Sequence, residues 1–206
     1  MSATAETFDP DATPVSEEDA LRANVYDMLA AVFRREPEPA LLSELTRLKG
    51  DDTPLGQAFA ELATRARSTK LAAARREYSD LFIGLGRGEL VPYGSFYLTG
   101  FLNEKPLAVL RDDMARLGIV RTEGVSEPED HIASLCEMMA GLIRGRFLEA
   151  APVKLQRAFF ERHLAPWTGH FFADVEAAKS ADLYRPAGMI GRLFMEIETA
   201  AFAMEE

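Results

Sequence analysis

The sequence predicts an all-α fold: a single-domain helical bundle of roughly eight to ten helices. Three observations predict it. Apolar residues recur at helical rather than alternating spacing in one segment after another. Cap residues and first-turn prolines precede these segments, and glycine or proline closes them. No stretch reads as a strand ladder, because the β-prone residues around Phe96, Tyr97 and Leu98 are few and flanked by glycine. The 206 residues are 48% hydrophobic and include 13 Phe, which suits one core of ordinary globular composition.

Residues 1–15 carry Glu6, Asp9, Asp11 and two prolines but no basic side chain, and are expected to be a flexible acidic tail ahead of an all-helical domain over 16–206. Ser16-Glu17-Glu18-Asp19 looks like a capping box. Leu21, Val25, Met28, Leu29, Val32 and Phe33 then form one helical face, which Pro37 and Pro39 end. A short helix over 39–48 turns Leu41, Leu42, Leu45 and Leu48 inward. Gly50-Asp51-Asp52 is a turn, and Thr53-Pro54 caps and opens a helix over 54–67. Another covers about 68–83. Residues 84–105 form a long loop broken by glycines, yet Phe96, Tyr97, Leu98, Phe101 and Leu102 are so apolar that the loop is expected to pack on something. Helices follow over 106–117, 127–145, 152–164, 166–178 and about 182–204.

Lys plus Arg number 23 against 33 Asp plus Glu, a net charge of -10. A nucleic-acid partner, which needs a basic face, is therefore not expected. A basic partner or simple solubility fits the balance. Cys136 is the one cysteine, so no intrachain disulfide and no cysteine metal site can form, and it falls on an apolar helical stripe as a small core residue. The first residues have neither a basic nor an apolar region of a secretory signal, and no run approaches the roughly 18 apolar residues of a membrane span. The cytoplasm is the expected location. Arg34-Arg35 lies inside a helical pattern and cannot act as an export signal.

The densest polar stretch is Glu127-Pro128-Glu129-Asp130-His131-Ile132, at the expected start of the 127–145 helix. There Ser126 is positioned to cap, with Glu129 reaching back and Pro128 in the first turn. Acidic residues in a first turn are what the helix dipole favours. They are also a set of carboxylates beside an imidazole, the raw material of acid–base chemistry or of a cation site. For His131 a satisfied structural histidine is the competing reading. No di-iron or zinc helix motif is present, and His163 and His170 are separated by Pro166, so two helices meeting there is the expected geometry. Gly84-Leu85-Gly86-Arg87-Gly88 follows a helix and lacks the Lys-Ser/Thr of a phosphate loop, which makes it a connector. The basic run from Arg65 to Arg76 reads as a solvated face, and Trp167 with Leu164, Phe171 and Phe172 as helix packing.

Three segments together resemble the TorD/DmsD family of cytoplasmic chaperones for twin-arginine-exported molybdoenzymes. They are Glu77-Tyr78-Ser79-Asp80-Leu81-Phe82-Ile83-Gly84 with Pro92-Tyr93-Gly94-Ser95-Phe96-Tyr97-Leu98, then residues 127–132, then Phe160-Glu161-Arg162-His163-Leu164-Ala165-Pro166-Trp167. The resemblance implies a TorD-like all-helical chaperone, not an enzyme and without a cofactor of its own. Such a protein binds the twin-arginine leader peptide of a molybdoenzyme catalytic-subunit precursor and assists cofactor insertion before export, without stable insertion in a membrane. By position in the matching motifs it implies a peptide-binding surface of Tyr78, Leu81, Phe82, Pro92, Tyr93, Glu127, Pro128, Asp130 and His131. Tyr78 and Tyr93 stand where the family often has Trp. The Glu-Pro-Glu lead-in resembles the leader-binding branch more than the branch that serves nitrate reductases. Carboxylates would meet the leader's arginines and aromatics its apolar stretch. Two other functions stay open on the residues alone: a metal-assisted hydrolase centred on His131, and a helical adaptor that docks a folded partner through residues 84–105.

Overall fold

The computed structural model describes residues 15–84, 87–121 and 127–204. The tail expected over 1–15, except Val15, the cap expected at Ser126, and Leu85 and Gly86 of the glycine-rich connector lie outside the described residues. The elements in order are α1 (Glu17–Arg34), α2 (Pro39–Leu45), α3 (Pro54–Ser68), α4 (Leu71–Tyr78), α5 (Gly94–Thr99), α6 (Lys105–Arg116), α7 (Ile132–Arg144), α8 (Val153–His163), α9 (Thr168–Ala177) and α10 (Tyr184–Met204). A π-helical turn, Ser79–Ile83, carries α4 onward. The fold is all-α; among the described residues the sole β feature is an isolated antiparallel bridge between Tyr93 and His131.

Local signals set some helix starts. The Ser16 hydroxyl accepts the Asp19 N–H at 3.0 Å and the Thr53 hydroxyl accepts that of Gly56 at 3.0 Å, so both predicted caps form. α10 is capped from a distance. The buried Glu77 carboxylate accepts the N–H groups of Asp182, Leu183 and Tyr184 at 2.7, 3.1 and 2.8 Å, which ties the end of α4 to the start of α10.

α7 is the central helix. Ile132, Leu135, Cys136, Met139, Leu142 and Ile143 are buried as their spacing predicts, and Ala133, Met138 and Ala140 are buried on the other flanks. Burying each large side chain of this kind contributes about 1.5–3 kcal/mol. Its most extensive partner is α1, while α10 packs on α9, α3 and α1. Phe33 of α1 sits at an aromatic centre, with Phe82, Phe171, Phe172 and Tyr184 all edge-on at 5.6–5.8 Å. A Cβ on Gly191 would run into the Phe172 ring, so α9 and α10 approach as closely as they do because that position is glycine. Trp167, Phe171, Phe172 and Leu164 are core, as is Cys136. Burial pushes the Cys136 thiol far above its ordinary range.

The structure corrects four expectations. Leu21 is 60% exposed; Ala23, Tyr26 and Ala30 take the inner face of α1 with Leu29, Val32 and Phe33. The 84–105 segment is not all loop, since Gly94–Thr99 forms α5, closed by Gly100 in the left-handed conformation. Its apolar side chains do not all pack: Leu98, Phe101 and Leu102 are exposed. The helix expected over 127–145 starts at Ile132, with His131 as N-cap. Residues 127–131 form a turn ahead of it, so neither the Glu129 reach-back nor a first-turn role for Pro128 applies. One expectation in the same region is met: Pro166 lies in the turn between α8 and α9, which places His163 and His170 on different helices.

Candidate functional site

The bridge between Tyr93 and His131 builds the site. The Ile132 N–H donates to the Pro92 carbonyl at 2.9 Å, and the Gly94 N–H donates to the Asp130 carbonyl at 3.0 Å. These bonds pin the 92–94 strand-like segment against the turn before α7. Asp130 is 3% exposed, and its Oδ2 accepts the Ser95 N–H at 2.7 Å, capping α5 from outside. α5 has no side-chain cap of its own. His131 caps α7 in the same manner: its Nδ1 accepts the Ala133 N–H at 3.1 Å. That bond requires the neutral tautomer with the proton on Nε2. Burial, and then the Arg34 charge, lower the His131 pKa to about 4.

Glu127 faces the other way. It is exposed, and its carboxylate accepts the Tyr93 hydroxyl. The Tyr93 ring stands edge-on to His131, with centroids 5.1 Å apart. Tyr78 is buried beside Phe82, 5.1 Å between centroids, and its hydroxyl donates to the Phe33 carbonyl at 3.4 Å. Burial, with the charges of Glu127 and Glu36, pushes the Tyr78 phenol up to about 12. Glu129 is held by Arg111 at 2.9–3.0 Å and by Arg121 at 3.4 Å. Burial alone would raise its carboxyl, but the bonds and charges of those arginines outweigh it and keep the group below the usual range.

A groove of about 580 Å³ opens beside Glu127, walled by the end of α1, α2, the stretch after α6 and one flank of α7. Seven carboxylates and four arginines line it, with Ala31, Leu41, Val120, Met138 and Phe147 between them. Several acids are already paired: Glu137 with Arg34, Glu38 with Arg35, Asp27 with Arg146. Glu36, Glu44 and Glu127 have no ion pair among the described residues. The groove therefore presents a negative, partly apolar surface, suited to a cationic chain with apolar side chains.

The nine residues singled out from sequence lie on neighbouring elements, but with unequal exposure. Glu127 is exposed, and Phe82, Tyr93 and Pro128 are half-buried. Tyr78, Leu81, Pro92, Asp130 and His131 are buried, Leu81 completely. Asp130 and Glu129 consequently offer no free charge at the surface, contrary to the expectation that all three acids of the motif do: one caps α5, the other is paired with arginines. Sequence reasoning missed Arg34, Glu36, Glu44 and Glu137, which line the groove. The only available signal was the pair Arg34-Arg35 at the end of α1, read as part of a helical pattern. Among the described residues no group of three or more His, Cys, Asp or Glu side chains is placed to hold a metal ion.

Residues 48–173, from just after α2 into α9, match the family model described as nitrate reductase delta subunit. This chain belongs to the nitrate reductase delta subunit family. The matched span holds both sides of the Tyr93–His131 bridge. Within this wider kinship the chain is 27% identical over 207 residues to the chaperone protein TorD of Vibrio atlanticus, covering 89% of this chain and 95% of that protein. It is 27% identical over 172 residues to TorD of Vibrio vulnificus, covering 73% and 80%. It shares 28% identity over 127 residues with TorD of Vibrio cholerae, covering 58% of each. The fold is shared with a crystal structure from Archaeoglobus fulgidus described as a redox enzyme maturation protein, at a TM-score of 0.58 and 20% identity, covering 85% of this chain and 94% of that one.

Proposed function

We propose that this member of the delta subunit family is a chaperone for molybdoenzyme maturation, which holds the twin-arginine leader of a precursor in the groove beside Glu127 while the cofactor is inserted. The relatives named as TorD chaperones support the chaperone role, and favour neither a metal-assisted hydrolase nor a folded-partner adaptor. The observation that carries the leader reading is the groove itself. It has an excess of carboxylates, Glu36, Glu44 and Glu127 lack ion pairs among the described residues, and the half-buried Tyr93 is bonded through its hydroxyl to Glu127 at its edge. A leader's guanidinium groups would pair with Glu127 and Glu36, and its apolar stretch would lie along Leu41, Val120, Met138 and Phe147. The net charge of -10 speeds the approach of such a peptide. No bond is made or broken. The work takes place in the cytoplasm, before export.

Calorimetric titration with the leader peptides of the source's own molybdoenzymes tests this. At least one leader should bind saturably, and its Arg-Arg to Gln-Gln version should bind at least about tenfold more weakly. If no leader binds, or the Gln-Gln version binds equally well, the groove is not a leader site.

A further inference from the structure

The acidic groove already holds an arginine pair of this chain's own. Arg34 and Arg35, at the end of α1, both line it, and each is bound to a carboxylate that lines it too. Arg35 is paired with Glu38 and Arg34 with Glu137. The two pairs differ in kind. Arg35 and Glu38 are three residues apart, so theirs is a local contact on the surface. Arg34 and Glu137 join α1 to α7, and their side chains are 38% and 45% exposed, open enough for a ligand to reach both. The Arg34 charge acts on Glu127 and on His131, the N-cap of α7, which puts its guanidinium toward the Glu127 end of the groove.

A guanidinium seated on Glu137 shows what that carboxylate accepts from the groove side. A half-exposed ion pair of this kind is weak, because water screens it and two long side chains must be held in one geometry. Exchange of Arg34 for a guanidinium brought by a ligand therefore costs little. Glu36 and Glu127, which have no ion pair among the described residues, line the same groove. A peptide with two adjacent arginines thus meets carboxylates that are open and one that the chain itself fills. We infer that Glu137 is the subsite for one of the leader's two arginines, and that Arg34 fills this subsite in the free protein and is displaced when the leader binds. This rests on the reading of the groove as a leader site. Displacement sets a threshold: only molecules whose Glu137 is free are competent, and the apparent dissociation constant rises as that fraction falls.

The intact protein is titrated in a calorimeter, at physiological salt, with the Arg-Arg leaders of the source's own molybdoenzymes. Arg34→Gln, although it removes an arginine, should bind the leader about three- to fivefold more tightly than the native protein, the size of one surface ion pair. Two further leaders, each with one of the two arginines replaced by Gln, locate the effect. The gain should persist with one and vanish with the other, and the leader that loses it names the arginine that reaches Glu137. Arg34→Lys keeps the charge without the planar fork, and should show a smaller gain in the same pattern. Circular dichroism should give both variants the helical content of the native protein and a thermal midpoint close to its own, since the pair is half-exposed. The inference falls if Arg34→Gln binds the Arg-Arg leader no more tightly than the native protein does; the leader reading then stands as long as the native protein prefers Arg-Arg to Gln-Gln. An equal gain with both single-Gln leaders also overturns it, because that pattern marks diffuse repulsion rather than a subsite. Absence of any leader binding to either protein overturns the leader reading and this inference with it.

Discussion

The two ends of one short segment behave oppositely. At Glu127 the chain is exposed, and its carboxylate meets a tyrosine hydroxyl at the edge of an acidic groove. Three and four residues later, Asp130 and His131 are buried, and both side chains accept backbone N–H groups. The difference teaches that a cluster of acids and an imidazole in sequence is not one site. One end is surface on which a ligand can act; the other is the joint that holds α5 against α7 and keeps that surface in place.

The sharpest way to break the joint is acid. The His131 pKa falls from 6.5 to about 4 on folding, so the unfolded chain binds the extra proton and the folded one resists it. Stability supplied by this group is complete above about pH 6.5 and declines as the pH drops toward 4, by about 3 kcal/mol in all. Denaturant titrations across that range should show the loss, and His131→Asn, a competent N-cap without a titrating ring, should remove most of this pH dependence. Next in size, Asp130→Ala should lower stability by about 2 kcal/mol, because the buried Ser95 N–H loses a charged acceptor. A third test contrasts the exposed end: Glu127→Gln should leave the thermal midpoint nearly unchanged but weaken a twin-arginine leader by about five- to tenfold in calorimetry, as loss of one charged contact does. The smallest effect is expected at Arg35→Ala. Its ion pair with Glu38, 3.1 Å long, is exposed on both sides, so unfolding free energy should change by no more than about 0.5 kcal/mol.

What was legible in the sequence is what is local. The caps at Ser16 and Thr53 and the inner stripe of α7 depend on residues within a turn or two, and they formed where the spacing put them. α5 was missed because six residues are too few to show a helical period. The start of α7 was misplaced because histidine is an uncommon N-cap, and it caps here through a ring nitrogen rather than an oxygen. The roles of Asp130 and Glu77 were hidden for a different reason. Each serves N–H groups 35 or more than 100 residues away, and no pattern along the chain records such a partner. The aromatic and acidic residues of the candidate site were readable as types. Which of them reach the surface was not, since that depends on how the 92–94 segment is pinned to residues 130–132.

Cys136, fully enclosed and strongly disfavoured as thiolate, leaves the native protein without a reactive sulfur. A maleimide dye would therefore find only a thiol introduced by design. Val120→Cys, 84% exposed on the rim of the groove, would make a single-label sensor without any background substitution to silence the native residue.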